Sequence, residues 1–136
     1  MTRVVLDTNV LVSALWNPDG APARVVALLY SGSCEPVVSA DILREYQRVL
    51  RHPRLGLPGD DVAVMLAWFA RFTLPVPPPG SPVRCAHADD EKFVAAGLAA
   101  NAAYLVTGNR RHFPEHVPDL AVVSPTEFLD AARGSD

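Results

Sequence analysis

Val4-Val5-Leu6-Asp7-Thr8-Asn9 is the stretch from which the fold can be read. A short run of β-branched and aliphatic residues predicts a strand buried on both faces, and such strands belong to parallel sheets covered by helices. The run stops in a carboxylate. Asp7 therefore falls at the carboxyl end of the strand, the edge of an open α/β sheet where loops diverge, helix N-termini point inward and ligands bind.

Outward from this strand the chain alternates. Thr8 to Trp16 has helical spacing, with Val10, Leu11, Ala14 and Leu15 on one face, and Asn17-Pro18-Asp19-Gly20 ends it in a turn. A second helix runs from about Pro22 through Leu29, and Glu35 to Ser39 follows as a strand. Ser39 is placed to cap a third helix, Asp41 to Leu50, in which Ile42, Tyr46 and Val49 form an inward stripe and Glu45 falls on or beside it. Gly59-Asp60-Asp61 opens a fourth helix reaching Phe72, with more apolar residues than one buried stripe needs. It reads equally as a central core helix or as a homodimer contact. Thr73 to Arg84, with Pro75, Pro77, Pro78, Pro79 and Pro82, predicts an extended, helix-free connector. Asp89-Asp90-Glu91 opens a fifth helix, Lys92 to Ala102, whose small residues suit close approach to a sheet. Tyr104-Leu105-Val106 is a strand ending in Thr107-Gly108-Asn109, and Ala121-Val122-Val123 is another. Ser124-Pro125-Thr126-Glu127 has the pattern of a capping box with proline at the first helical position, opening the last helix. This order predicts a three-layer α/β/α sandwich with a mostly parallel central sheet, and the length of 136 residues predicts one domain over 1–136.

Composition narrows the class. Hydrophobic residues make up 49% and charged residues 20%, an ordinary globular balance, and the net charge of -3 gives no overall basic field. Cys34 and Cys85 lie far apart without C-x-x-C spacing, which predicts reduced thiols rather than a disulfide framework or zinc knuckle. With no charged-then-apolar leader and no apolar run of membrane-spanning length, the expectation is a soluble, cytoplasmic protein without a membrane partner.

Asp7, Glu45, Asp90 and Asn109 stand out as candidate functional residues. Each has a plain structural use: Asp7 as a helix cap, Glu45 as a partner of Arg44 or Arg48, Asp89 or Asp90 as a cap, Asn109 as a turn residue. Together they converge, because strand ends and the starts of the following helices share one rim of a parallel sheet. Three carboxylates in one cleft raise one another's pKa unless a cation is present. An all-oxygen set suits Mg²⁺ or Mn²⁺, and the chemistry that follows is metal-assisted hydrolysis of a phosphodiester.

The ordered set resembles the PIN-domain ribonucleases, the fold of many toxin components of bacterial toxin-antitoxin pairs, the VapC-like proteins among them. Asp7-Thr8-Asn9 is similar to that family's opening motif and Ser39 through Glu45 to its second. Asp90 through Phe93, followed by Ala95-Ala96, is similar to the third, and Thr107-Gly108-Asn109 through Phe113 to the fourth. The resemblance implies a Mg²⁺- or Mn²⁺-dependent endoribonuclease, commonly dimeric and silenced by a small antitoxin protein. It makes Asp7, Glu45 and Asp90 the metal-binding acids, with Thr8 or Thr107 orienting them through hydroxyl hydrogen bonds and Asn9 completing the first motif. Two positions depart from the pattern. Asn109 replaces a frequent aspartate, which favours one tightly held ion over two, and His87 stands where relatives often carry an acid, a loss for which Asp89 could compensate. Arg44, Arg48, Arg51 and Arg54, with Arg110 and Arg111, are candidates to hold the RNA backbone. His112 and His116 have zinc-like spacing, but Pro114 breaks the helix that would align them.

Rival readings are a haloacid-dehalogenase-like phosphatase, which resembles D-x-D-x-T and therefore lacks its general acid where Asn9 stands, and a non-catalytic RNA- or protein-binding domain on the same fold.

Overall fold

The computed structural model describes residues 1–76 and 84–134. Five strands form one sheet in the order β3-β2-β1-β4-β5, with every pairing parallel. The strands are β1 (Arg3–Leu6), β2 (Glu35–Ser39), β3 (Leu74–Val76), β4 (Tyr104–Val106) and β5 (Ala121–Val123), and the helices are α1 (Thr8–Trp16), α2 (Ala21–Tyr30), α3 (Ala40–Leu50), α4 (Gly59–Phe72), α5 (Glu91–Ala99) and α6 (Pro125–Gly134). Helices on both faces make the three layers of an α/β/α sandwich. α5 lies against β1, β2 and β4, while α2 packs on α1 and α6, and α3 on α1, α4 and α5.

β1 occupies the centre, which is why Val4, Val5 and Leu6 are buried on both faces. From β1 the sheet grows outward through β2 and β3 on one side and through β4 and β5 on the other. The strand order thus reverses between β1 and β4, and the crevice above that reversal is where open α/β sheets bind ligands.

Local chemistry sets the boundaries. The Ser39 hydroxyl accepts the Ile42 backbone N–H at 3.2 Å and starts α3. Ser124 and Glu127 form the reciprocal box that starts α6: the Ser124 N–H donates to Glu127 Oε1 at 2.9 Å and the Glu127 N–H to Ser124 Oγ at 3.1 Å. Gly97 lets α5 lie on the sheet, since a Cβ there would meet Leu120 Cδ2 at 3.1 Å and Val5 Cγ2 at 3.4 Å.

The structure departs from the sequence reading in places. Leu74-Pro75-Val76, expected near the start of an extended, helix-free connector, is a strand paired with β2. Its place at the sheet edge explains the tolerance of a proline, which cannot donate to a ladder. The connector's remaining prolines, Pro77, Pro78, Pro79 and Pro82, lie outside the described residues. α5 is shorter than expected and is preceded by a 3-10 turn over Ala88–Asp90. On α4, Val62, Met65, Leu66 and Phe69 are buried, whereas Val64 is 68% and Phe72 56% exposed, so the helix is not wholly interior. Trp68 packs edge-on against Tyr30 of α2, ring centroids 4.7 Å apart. Cys34 is buried and Cys85 half-buried, both as free thiols.

Candidate active site

Asp7 leaves β1 at the crevice, its backbone N–H still bonded to the Val106 carbonyl of β4 at 2.9 Å. It occupies the cap position of α1 but makes no side-chain capping hydrogen bond. The carboxylate instead accepts the Thr107 hydroxyl at 2.8 Å and the Asn9 amide at 3.3 Å, both on Oδ2. Asn9 Oδ1 accepts the Gly108 N–H at 2.9 Å, closing the end of β1 onto the end of β4. Below, the fully buried Tyr46 hydroxyl donates to the Leu6 carbonyl at 2.5 Å, anchoring α3 to the end of β1.

Asp7 is only 5% exposed. Burial pushes its pKa up to about 6; the Thr107 hydrogen bond opposes the rise, the nearby charges of Asp90 and Glu45 reinforce it, and the Thr8 backbone N–H opposes it. Asp90 is also raised, first by burial, with His112 opposing and Glu45 reinforcing. Asp7 thus feels the charges of both Asp90 and Glu45, and Asp90 that of Glu45.

Their immediate partners differ. Glu45 accepts the Thr8 hydroxyl on Oε2 and the Lys92 ammonium on Oε1 at 2.6 Å, with Arg48 Nη2 a further 3.8 Å neighbour of Oε1. Asp90 Oδ2 faces His112 Nδ1 at 3.4 Å, an ion-pair distance too long for a good hydrogen bond, and this buried oxygen has no hydrogen-bond partner. Asn109 Nδ2 and His112 Nε2 are 2.8 Å apart. With the amide donating, the imidazole proton lies on Nδ1, toward Asp90. Asn109 thus orients His112, and its own N–H donates to Thr107 Oγ1 at 3.0 Å. His87 completes the cluster, its ring edge-on to His112 with centroids 4.6 Å apart. Lys92 was not singled out from the sequence, and His87 and His112 were noted there separately, not as a pair. Lys92 sits two residues beyond Asp90, at a helix start where a cation is electrostatically misplaced, and that anomaly was the available signal.

A cleft of about 840 Å³ opens between α3 and the start of α5, bordered by Glu45, Arg44, Arg48, Arg51, Asp89 and Lys92. Of the three acids, only Glu45 lines it. Arg44 is paired with Asp41 on its own helix. Arg110 donates to the Pro114 and Glu115 carbonyls at 3.3 and 2.9 Å, so this guanidinium braces its own loop. Arg111 is exposed.

A family model described as PIN domain matches residues 3–111, a span that runs from β1 past β4 and contains all three acids. The chain belongs to the PIN domain family. Among relatives of this PIN domain, Uncharacterized protein MJ1680 of Methanocaldococcus jannaschii is 26% identical over 140 residues, covering 94% of this chain and 90% of that protein. Among solved structures, the crystal structure of VapBC2 from Rickettsia felis bound to a DNA fragment from their promoter matches with a TM-score of 0.64 at 18% identity. The match covers 90% of this chain and 98% of that one, a likeness of fold. PIN domains are generally nucleases and usually use divalent metals, which places this chain among hydrolases at that level.

The donor set can be tested against such an ion. It is all oxygen, as Mg²⁺ and Mn²⁺ prefer, and it includes one buried carboxylate oxygen without a hydrogen-bond partner and one carboxyl group whose pKa is raised by burial and by its acidic neighbours. The chemistry fits. The spacing in this structure is not yet that of a coordination shell, because among the described residues no group of three His, Cys, Asp or Glu side chains is close enough to hold an ion. Glu45 is the acid already neutralised by the chain itself.

Proposed function

We propose that the protein is a Mg²⁺- or Mn²⁺-dependent endoribonuclease in which Asp7, Glu45 and Asp90 hold the ion, working as one PIN-like domain. The observation that carries this reading is a buried Asp7 at the rim where the strand order reverses, its carboxyl raised by burial and by the charges of Asp90 from the start of α5 and Glu45 from α3, beside a buried Asp90 oxygen without a hydrogen-bond partner. Bound there, a dication would lower the pKa of a coordinated water and offset charge on a scissile phosphate. The chain's own contributions are positional. Thr107 and Asn9 fix the Asp7 carboxylate, and Thr8 fixes Glu45. Asn109 sets the His112 ring beside Asp90. Arg48 and Arg51, exposed along the cleft, suit a polyanionic backbone.

The likeness in fold to VapBC2 supports placing the protein as the toxin of a toxin-antitoxin pair. The exposed Val64 and Phe72 of α4 support a homodimer. The deciding experiment is cleavage of RNA by purified protein with Mg²⁺ or Mn²⁺, compared with Asp7→Asn and Asp90→Asn. Activity confined to the unsubstituted protein is the expected result, and equal activity in all three preparations defeats the assignment.

A second reading, a non-catalytic domain on this fold, is favoured by two observations: Lys92 neutralises Glu45, and among the described residues no three-ligand group is assembled. Calorimetric titration with Mn²⁺ separates the two, because an inert domain binds none.

A further inference from the structure

Lys92 is the single lysine of a chain with twelve Lys and Arg residues. It lies in the first turn of α5, where the helix dipole disfavours a cation, so helix stability does not account for it. Its ammonium is instead 2.6 Å from Glu45 Oε1, in a contact that leaves the two side chains only 19% and 11% exposed. With the Thr8 hydroxyl on Oε2, both oxygens of Glu45 are occupied by donors from the chain itself. Asp7 and Asp90, by contrast, have no lysine or arginine ion pair among the described residues.

The residue type matters here. An arginine would grip a carboxylate through a planar fork, whereas lysine offers a compact charge on a flexible stem that can withdraw. An ammonium seated on Oε1 and a divalent ion ligated by the same oxygen compete for the same lone pairs and repel each other.

We propose that Lys92 is a tethered cation that competes with the divalent ion for Glu45 and so sets the ion concentration at which the site fills. This rests on the metal-dependent reading above and deepens it. Metal binding then requires Lys92 to leave Glu45, and in the ion-free protein Lys92 relieves the repulsion of Glu45 toward its acidic neighbours.

The test is Mn²⁺ titration by calorimetry at one fixed pH, using the full chain, Lys92→Gln and Lys92→Arg. Lys92→Gln is expected to bind Mn²⁺ about tenfold more tightly, or roughly 1.4 kcal/mol, and Lys92→Arg no more tightly than the unsubstituted protein. Unchanged or weaker binding by Lys92→Gln overturns the proposal while leaving the metal reading intact. Absence of binding by all three removes both. Because one lysine is present, reductive methylation with ¹³C-formaldehyde gives an NMR probe in the unsubstituted protein that is independent of how the variants fold. Saturating Mg²⁺ is expected to shift the dimethyl-Lys92 resonance toward that of a free, solvated lysine. A resonance that stays put while Mg²⁺ binds also overturns the proposal.

Discussion

Thr107 Oγ1 and Asp7 Oδ2, a hundred residues apart in the chain, are joined by a 2.8 Å hydrogen bond across the reversal point of the sheet. The same hydroxyl accepts the Asn109 N–H, so one side chain fixes both the acid at the end of β1 and the loop after β4. Thr107→Val keeps the shape and removes both bonds. Loss of such a supporting group typically weakens metal binding by about 10- to 100-fold, and that loss is expected in a Mn²⁺ titration, with Thr107→Ser restoring most of the affinity.

Asp7 also makes ion-free stability depend on pH. Its folded pKa, about 6, lies above the ordinary 3.8, so between these values the folded protein binds more protons than the unfolded chain. Stability from this group therefore falls as pH rises from about 4 to about 6 and does not return at higher pH. Asp7→Asn removes that loss, and in urea unfolding at pH 7 without metal it is expected to be more stable by on the order of 2 kcal/mol. At pH 4 the difference should largely vanish.

The box at the start of α6 is a local test of the fold. Ser124→Ala leaves the Glu127 N–H without its capping oxygen and is expected to cost about 1 kcal/mol in denaturant unfolding. Ser124→Asp should retain most of the stability.

Gly97 gives the opposite kind of test. A β-branched side chain would be driven into Leu120 and Val5, so Gly97→Val is expected to lower stability by roughly 1–3 kcal/mol despite replacing a poor helix former. A melting temperature equal to that of the unsubstituted protein would mean that α5 does not sit as closely on the sheet as described.

What could be read from the sequence was what local rules control. β1 announces itself by composition, while Ser39 and Ser124 announce two helices by their capping oxygens. β3 escaped because Leu74-Pro75-Val76 has three residues and a proline, and only its place at the sheet edge makes it a strand. In the site, Asp7 and Thr107 could be placed because strand ends share a rim. The Lys92–Glu45 pair, 47 residues apart, depends on how α5 leans over α3, which no periodicity encodes. For Arg110 the position beside the site was legible, but not the turn of its guanidinium onto the Pro114 and Glu115 carbonyls.

The two outermost strands, β3 and β5, are three residues long, and β3 carries Pro75 opposite Val38 of β2. An edge so short, and lacking one donor, gives a neighbouring molecule little ladder to extend. Concentrated solutions of the native chain should therefore resist fibrillar self-assembly through either margin of the sheet, and Pro75→Val is the substitution that would weaken that protection at the β3 margin.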